Sequence, residues 1–257
     1  MAMGSIGSGK KPPIKEPEQD VLERARALAD ELSLTPLLAQ LLVVRGLVSQ
    51  DDVERFLSPR LSDLPSPEEM ADFQKAVERV GDAVIQRQTV GVFGDYDVDG
   101  ITSAAVVALF LSEMGIPLRV RIAHRDRGYG LKAADIQYMI DNGCQLLVAC
   151  DVGSSDTEAL EYAREHGLDV VVLDHHQVPQ PRPPTLALVN PARKDCPFED
   201  ENMASVGLSF YLVAALRTFL SKKKLSRPIP DPRSYLDLVA LGTVADVAPL
   251  VGPNRVM

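Results

Sequence analysis

The spacing of apolar residues divides this chain into two textures. From Gln19 to about Thr89 the period is helical. Val21, Leu22, Ala25, Leu28, Ala29 and Leu32 recur at three- and four-residue intervals, the mark of one buried helix face. Thr35-Pro36 opens a second helix, Thr as N-cap and Pro in the first turn, and Arg45-Gly46 ends it. Ser49 opens a short third helix carrying Val53 and Phe56-Leu57, stopped by Ser58-Pro59. Pro65-Ser66-Pro67 starts a long helix through Met70, Phe73, Ala76, Val77, Val80 and Val84. From Val90 short apolar runs alternate with helical stretches. VGVF (90–93) precedes a helix over Ile101–Met114, and PLRVRI (117–122) one over Lys132–Asn142. QLLVAC (145–150) precedes a helix over Asp156–His166, and DVVVLD (169–174) runs into a Pro-rich loop. Further helices follow over Met203–Leu220 and Tyr235–Leu241. Repeated strand–helix alternation predicts an α/β fold, a parallel sheet with helices on both faces, preceded by a small helical N-terminal module. The expected strands are near-continuous apolar runs, as strands covered on both faces should be. The first eighteen residues lack a periodic apolar pattern and read as a flexible leader. The expected division is leader 1–18, helical module 19–89 and α/β domain 90–257.

Composition narrows the picture. At 257 residues and 46% hydrophobic, the chain can bury a core and is not globally disordered. A formal net charge of -9 excludes a simple basic coat for nucleic acid. The longest apolar run, AAVVALFL from position 104, is too short to span a membrane. Cys144, Cys150 and Cys196 form no CxxC pair, so neither a disulfide framework nor a zinc knuckle is expected. The chain reads as a reduced, cytoplasmic protein.

The acids carry the chemistry. Strand 90–93 is followed by Gly94-Asp95-Tyr96-Asp97-Val98-Asp99-Gly100, strand 145–150 by Asp151-Val152-Gly153, and strand 169–173 by Asp174-His175-His176. A late helix ends in Gly242-Thr243-Val244-Ala245-Asp246. Ligands of open parallel sheets bind beyond the carboxyl ends of the strands. Six carboxylates gathered there would repel one another without a counter-charge. Oxygen and imidazole donors suit two divalent cations, Mn²⁺ or Mg²⁺. Taken singly, Asp97 and Asp99 also suit turn or N-cap positions, Asp151 a turn, and Cys150 a buried strand end. DYDVDG starts like a calcium loop, but the twelfth position is Val106 where such a loop needs Glu. No GK[ST] follows the glycine, so it is not a phosphate-binding P-loop.

GDYDVDGITS (94–103), the Asp151 segment, Asp174-His175-His176 and GTVADVAPL (242–250) together resemble the four motifs of the DHH phosphoesterase superfamily. LLVVRGL (41–47), FLSP (56–59), RGYGL (127–131), VNP (189–191), SVGLSFYL (205–212) and GTVADVAPLVGPNRV (242–256) resemble its RecJ-type branch of single-strand-specific exonucleases. The resemblance runs from about Leu34 to the end of the chain. It implies a two-metal phosphodiesterase in which Asp97, Asp99, Asp151, His175 and Asp246 are metal ligands, Asp151 bridging both ions. It implies that His176 meets substrate phosphate or supports the site, and that Asp95 and Asp174 support the ligands from behind. Two metals would activate a water for in-line attack and neutralise the phosphate and leaving group. The branch degrades single-stranded DNA from a 5′ end to nucleoside 5′-monophosphates in repair and recombination. Its implied partners are single-stranded DNA and a single-strand-binding protein or helicase.

Some positions depart from the branch pattern. AHRD (123–126) replaces a Pro-containing segment, leaving His124, Arg125 and Arg127 as candidates for phosphate contact or plain surface. Ser205 stands where a small residue, often Gly, is usual. Arg119, Arg121, Lys222, Lys223, Lys224 and Arg227 are further basic candidates, and aromatic residues for base stacking are few, at 5%. The sequence ends at Met257 without the DHH-associated domain and oligonucleotide-binding barrel of the branch, so weak processive activity is expected of this chain alone. Two rival readings are a DHH enzyme acting on short oligonucleotides or small nucleotides, and a non-catalytic DHH scaffold.

Overall fold

The computed structural model describes residues 18–257, apart from Glu201, Lys224, Ser226 and the side chain of Arg127. All of the leader expected over 1–18 except Glu18 lies outside the described residues. The chain divides into two compact units at Arg60/Leu61.

The first unit holds α1 (Gln19–Leu32), α2 (Pro36–Val44) and α3 (Gln50–Leu57). Thr35 caps α2 by accepting from the Leu38 amide, and Ser49 caps α3 by accepting from the Asp52 amide. Both caps satisfy amides that an α-helix leaves orphaned at its start. Ala25, Leu28, Ala29, Ala39, Leu42, Val43 and Val53 form its core.

The second unit begins with α4 (Phe73–Gln86), which the sequence pattern assigned to the N-terminal module. Phe73, Ala76, Val77, Val80 and Val84 of α4 join the same core as the sheet and the later helix Ser205–Ser221, so the boundary falls near residue 60 rather than 89. Helical periodicity shows that a face is buried but not against what. The helix also starts later than Pro67. A 3-10 turn over Pro67–Glu69 is followed by Asp72 at φ 61°, and α4 runs from Phe73.

Five parallel strands form the sheet: β1 (Val90–Gly94), β2 (Leu118–Ile122), β3 (Leu146–Cys150), β4 (Asp169–Leu173) and β5 (Ala187–Val189), in the order β2-β1-β3-β4-β5. Between them lie α5 (Val98–Glu113), α6 (Ala133–Asp141) and α7 (Thr157–Glu165); α8 (Ser205–Ser221), α9 (Leu236–Ala245) and α10 (Gly252–Val256) follow. The two-residue period of a strand sorts its side chains. Val90, Val92, Leu146, Val148, Cys150, Val171 and Leu173 pack with α4, α5, α8 and α9. Phe93, Leu147, Ala149, Val170 and Val172 pack with α6 and α7 on the other face. Helices therefore cover both faces, as the alternation predicts. The pattern missed β5, an apolar triplet too short for a period, and α10, a short helix opened by Gly252-Pro253.

From β1 the chain crosses to β2 on one side and then to β3 on the other. That reversal opens a crevice at the carboxyl ends of β1 and β3. Asp95 follows β1 and Asp151 follows β3. No helix among the described residues is long and apolar enough to cross a membrane.

Candidate metal centre

Asp97 is the N-cap of α5: its carboxylate accepts from the Gly100 amide at 2.9 Å. That cap starts the helix at Val98, three residues before the apolar period, and places Asp99 in its first turn. The N-cap reading and the site reading of Asp97 therefore hold together. Asp99 is buried, and α8 begins against it. Its Oδ2 accepts from the Ser205 amide at 2.7 Å and its Oδ1 from the Val206 amide at 2.9 Å. The N-terminus of α8 has no side-chain cap of its own, so Asp99 takes that role from another helix. A Cβ on Gly242 would stand 2.3 Å from Thr102 Oγ1 and 3.2 Å from Asp99 Oδ1. Only glycine lets α9 approach this closely and deliver Asp246 at its C-cap.

Asp151 sits at the end of β3 with φ 62°, a left-handed backbone that Asp tolerates better than most residues. Its amide donates to the Leu173 carbonyl at 2.8 Å, which ties the turn to β4. Its Oδ1 accepts from the Ser205 hydroxyl at 2.9 Å and lies 3.3 Å from His175 Nε2. His175 Nε2 is 3.9 Å from Asp99 Oδ2, and its Nδ1 is 3.9 Å from Asp246 Oδ2. Asp174 is fully engaged. Its Oδ1 accepts from the His175 amide at 2.8 Å, the His176 amide at 3.2 Å and His176 Nδ1 at 2.7 Å; its Oδ2 accepts from the Ser154 amide at 2.9 Å. Asn190 closes the back of the loop, donating to Ser154 Oγ at 2.7 Å and to the His176 carbonyl at 2.8 Å.

The electrostatics follow the burial. Desolvation pushes the Asp99 carboxyl up to about 6, although the Val206 and Ser205 amides pull the other way. Desolvation likewise raises Asp151 to about 7, opposed by its His175 hydrogen bond. Asp95 and Asp246 are also raised by burial. Burial works against a charged His175, yet Asp151, Asp99 and Asp246 raise it to about 9. Burial would raise Asp174 too, but its hydrogen bonds with His176 and Ser154 outweigh that and hold it below the usual carboxylate range.

Three overlapping groups can each hold a cation: Asp95, Asp97 and Asp151; Asp151, His175 and His176; Asp99, His175 and Asp246. In each, the ligand atoms lie within 4.8 Å of one another. Asp151 and His175 each belong to two groups. Asp95 is 1% exposed, and its Oδ1 has no hydrogen-bond partner among the described residues. A buried, unpartnered carboxylate oxygen beside two further carboxylates fits a hard divalent cation.

Asp97, Asp99, Asp151, His175, His176 and Asp246 thus converge, with Asp174 hydrogen-bonded to His176 and Asp95 grouped with Asp97 and Asp151. Arg125 reaches the rim only through Tyr96, over whose ring it lies at 5.1 Å; the Arg127 side chain lies outside the described residues. Lys222 and Lys223 stand at the far end of α8, about 25 Å from Ser205 at 1.5 Å per residue. Lys224 is outside the described residues, and Arg121 is paired with Asp135 at 3.1 Å. Ser205, Tyr129 and Asn190 reach the centre as well, although the sequence pattern marks Ser205 only as a departure and gives Tyr129 and Asn190 no role. Tyr129 and Asn190 lie in the RGYGL and VNP segments, which were the available signal.

The profile of the DHH family, N-terminal domain, matches residues 89–243. The single-stranded-DNA-specific exonuclease RecJ of Escherichia coli is 37% identical over 230 residues, which is 87% of this chain and 39% of that protein. The Bacillus subtilis protein of the same name is 32% identical over 95% of this chain and 29% of its own length. Among solved structures, RecJ from Thermus thermophilus in complex with Mn²⁺ matches with a TM-score of 0.72 and 29% identity, covering 91% of this chain and 32% of that one. A manganese-bound exonuclease RecJ matches with a TM-score of 0.65 and 32% identity, covering 76% of this chain and 47% of that one. This chain therefore spans less than half the length of the relatives it matches.

Proposed function

Because the chain belongs to the DHH family, we propose that its acid-rich sheet edge holds two divalent cations, manganese or magnesium, and hydrolyses phosphodiester bonds of single-stranded DNA from a 5′ end. The observation that carries this reading is the overlap of the three groups at Asp151 and His175. Shared ligands are what two neighbouring cations require. Asp97, Asp99, Asp151, His175 and Asp246 hold them, and a carboxylate oxygen of Asp95 is close enough to Asp97 and Asp151 to join. Bound there, the cations supply an activated water and neutralise charge on the phosphate. Asp151 keeps its carboxylate aimed by the Ser205 hydroxyl, and Asp99 keeps both oxygens fixed by the start of α8. His176, with a side chain 43% exposed and Nδ1 held by Asp174, faces the opening and meets the substrate phosphate.

The manganese- and magnesium-bound RecJ structures support the choice of metal. The RecJ names of the relatives support the substrate and the exonuclease reading. Incubation with 5′- and 3′-labelled single strands in manganese tests it, comparing the chain with Asp151→Ala. The expected result is nucleoside 5′-monophosphate released first from the 5′ label, and nothing from the variant. Release first from the 3′ label, or equal activity of Asp151→Ala, overturns it.

The placement of the basic residues favours distributive action by this chain. Lys222 and Lys223 are far from the centre, and Arg121 is engaged by Asp135. Relative rates on a pentamer and on a long strand measure this. A strong preference for the pentamer would shift the substrate class to short oligonucleotides.

A further inference from the structure

The RGYGL segment (127–131) folds back over the metal centre without supplying a ligand to it. Gly128 and Gly130 flank Tyr129 with φ of 79° and 88°, left-handed values that glycine adopts freely. A Cβ on Gly130 would stand 2.5 Å from Asp156 Oδ1. Asp156 Oδ2 accepts from the Leu131 amide at 2.9 Å and the Gly153 amide at 3.1 Å. One carboxylate thus fastens this segment to the turn that begins with Asp151.

The result is an exact placement of one phenol. Tyr129 donates its hydroxyl proton to the Asp151 carbonyl at 3.1 Å. The same oxygen lies 2.9 Å from His176 Nδ1 and 3.3 Å from Nε2, with the two rings edge to face at 5.3 Å. Its proton is committed to a carbonyl, and its lone pairs face the imidazole. Asp174 Oδ1 takes the other side of Nδ1 at 2.7 Å. A half-turn of the ring would set a carbon where Asp174 takes the single Nδ1 hydrogen, and would carry Nδ1 away from the Tyr129 hydroxyl.

We propose that Tyr129 is a positioning residue for His176, fixing with Asp174 the orientation in which that imidazole meets the substrate phosphate. The proposal rests on the phosphodiesterase reading above. Oriented partners behind a site residue are commonly worth about 10–100-fold in activity. Tyr129→Phe keeps the ring and removes only the hydroxyl.

The test has two arms on the 257-residue chain. In the first, Tyr129→Phe is expected to lower kcat on a short 5′-phosphorylated strand by about tenfold or more, with KM and Mn²⁺ binding measured by electron paramagnetic resonance unchanged. In a His176→Ala background the same change is expected to cost nothing further. A full additional loss there overturns the proposal, because Tyr129 would then act without His176. In the second arm, a crystal structure and imidazole nitrogen NMR of Tyr129→Phe are expected to show the His176 ring released from its single orientation. A ring held as before overturns the proposal whether or not the parent chain is active. An inactive parent with a released ring instead refutes the phosphodiesterase reading and leaves the role of Tyr129 in orienting the ring supported.

Discussion

Two buried charge clusters lie within the same unit and are built on opposite plans. Arg193 is buried and fully spoken for. It donates to Asp195 at 2.9 and 2.7 Å, to Asp72 at 2.7 Å and to the Leu188 carbonyl at 2.5 Å. Its hydrogen bond holds the Asp195 carboxyl below the usual range. The cluster at the strand ends instead gathers Asp95, Asp99, Asp151 and Asp174 with two imidazoles as its ion-pair partners. Asp99 and Asp151 are pushed up to about 6 and 7, and Asp95 keeps an orphan oxygen. The first cluster is complete as it stands and fastens loops together. The second is electrostatically unfinished, and a divalent cation is the kind of group that would finish it.

Removing the centre of each cluster should give opposite phenotypes. Asp151→Ala is expected to cut strand hydrolysis by more than about 100-fold, beyond the range typical of outer-shell partners. Its metal-free melting temperature should hold or rise, because a desolvated acid has gone. Arg193→Met should do the reverse. Arg193 is buried while its acid partners reach solvent, so losing its hydrogen bonds costs about 1–2 kcal/mol, read as a lower urea midpoint, while the rate per folded molecule in saturating manganese stays the same. Loss of activity in folded Arg193→Met would join the two clusters functionally and break the comparison.

Next in size is the coupling of pH and metal. Asp99 and Asp151 are raised to about 6 and 7 in the folded chain. Their contribution to stability is fully present below the ordinary carboxylate pKa of about 4 and is lost as pH rises through those values. His175, raised to about 9, contributes below its ordinary value of about 6.5, and that is lost as pH rises through 9. All three trends weaken the metal-free chain from mild acid to mild alkali. Asp174 and Asp195, both lowered, act in the opposite sense at lower pH and bring stability down again as pH falls through their folded values. A bound cation needs these ligands deprotonated, so its effect grows over the range where the metal-free chain weakens. At a hundredfold excess over its dissociation constant it adds about 2.7 kcal/mol. Melting curves with and without manganese should therefore separate widely near pH 8 and little near pH 5. Equal separation at both would mean that the raised acids are not the ligands.

The sequence made the acid cluster legible because strand ends can be read from apolar runs and acids from their positions. Asp97, Asp99, Asp151, His175 and Asp246 needed only one sheet edge in common to be drawn together. Tyr129 and Ser205 were not legible in the same way. Each reaches the centre through a single hydroxyl, and the partner is far away in sequence: Asp151 for Ser205, His176 for Tyr129. The place of α4 was hidden for a related reason, since an amphipathic face does not name the surface it covers. The Arg193 cluster left no trace in any periodic pattern, because Asp72 reaches it from more than a hundred residues away.

The smallest test uses one chemical change in both clusters. Asp195→Asn removes a charge from an acid whose side chain is 65% exposed and paired with Arg193. Solvent screening limits the loss to no more than about 1 kcal/mol. Asp95→Asn removes a charge from an acid that is 1% exposed and lacks a partner for Oδ1 among the described residues. Relieving such a desolvated charge should add about 1 kcal/mol to the metal-free chain. In manganese the ranking should invert, because Asp95→Asn weakens the group it shares with Asp97 and Asp151 while Asp195→Asn leaves the centre untouched. Urea midpoints measured with and without manganese give all four values. The same sign for both substitutions in the metal-free chain would show that the cluster at the strand ends is already neutralised, and that the contrast between the two clusters is only one of location.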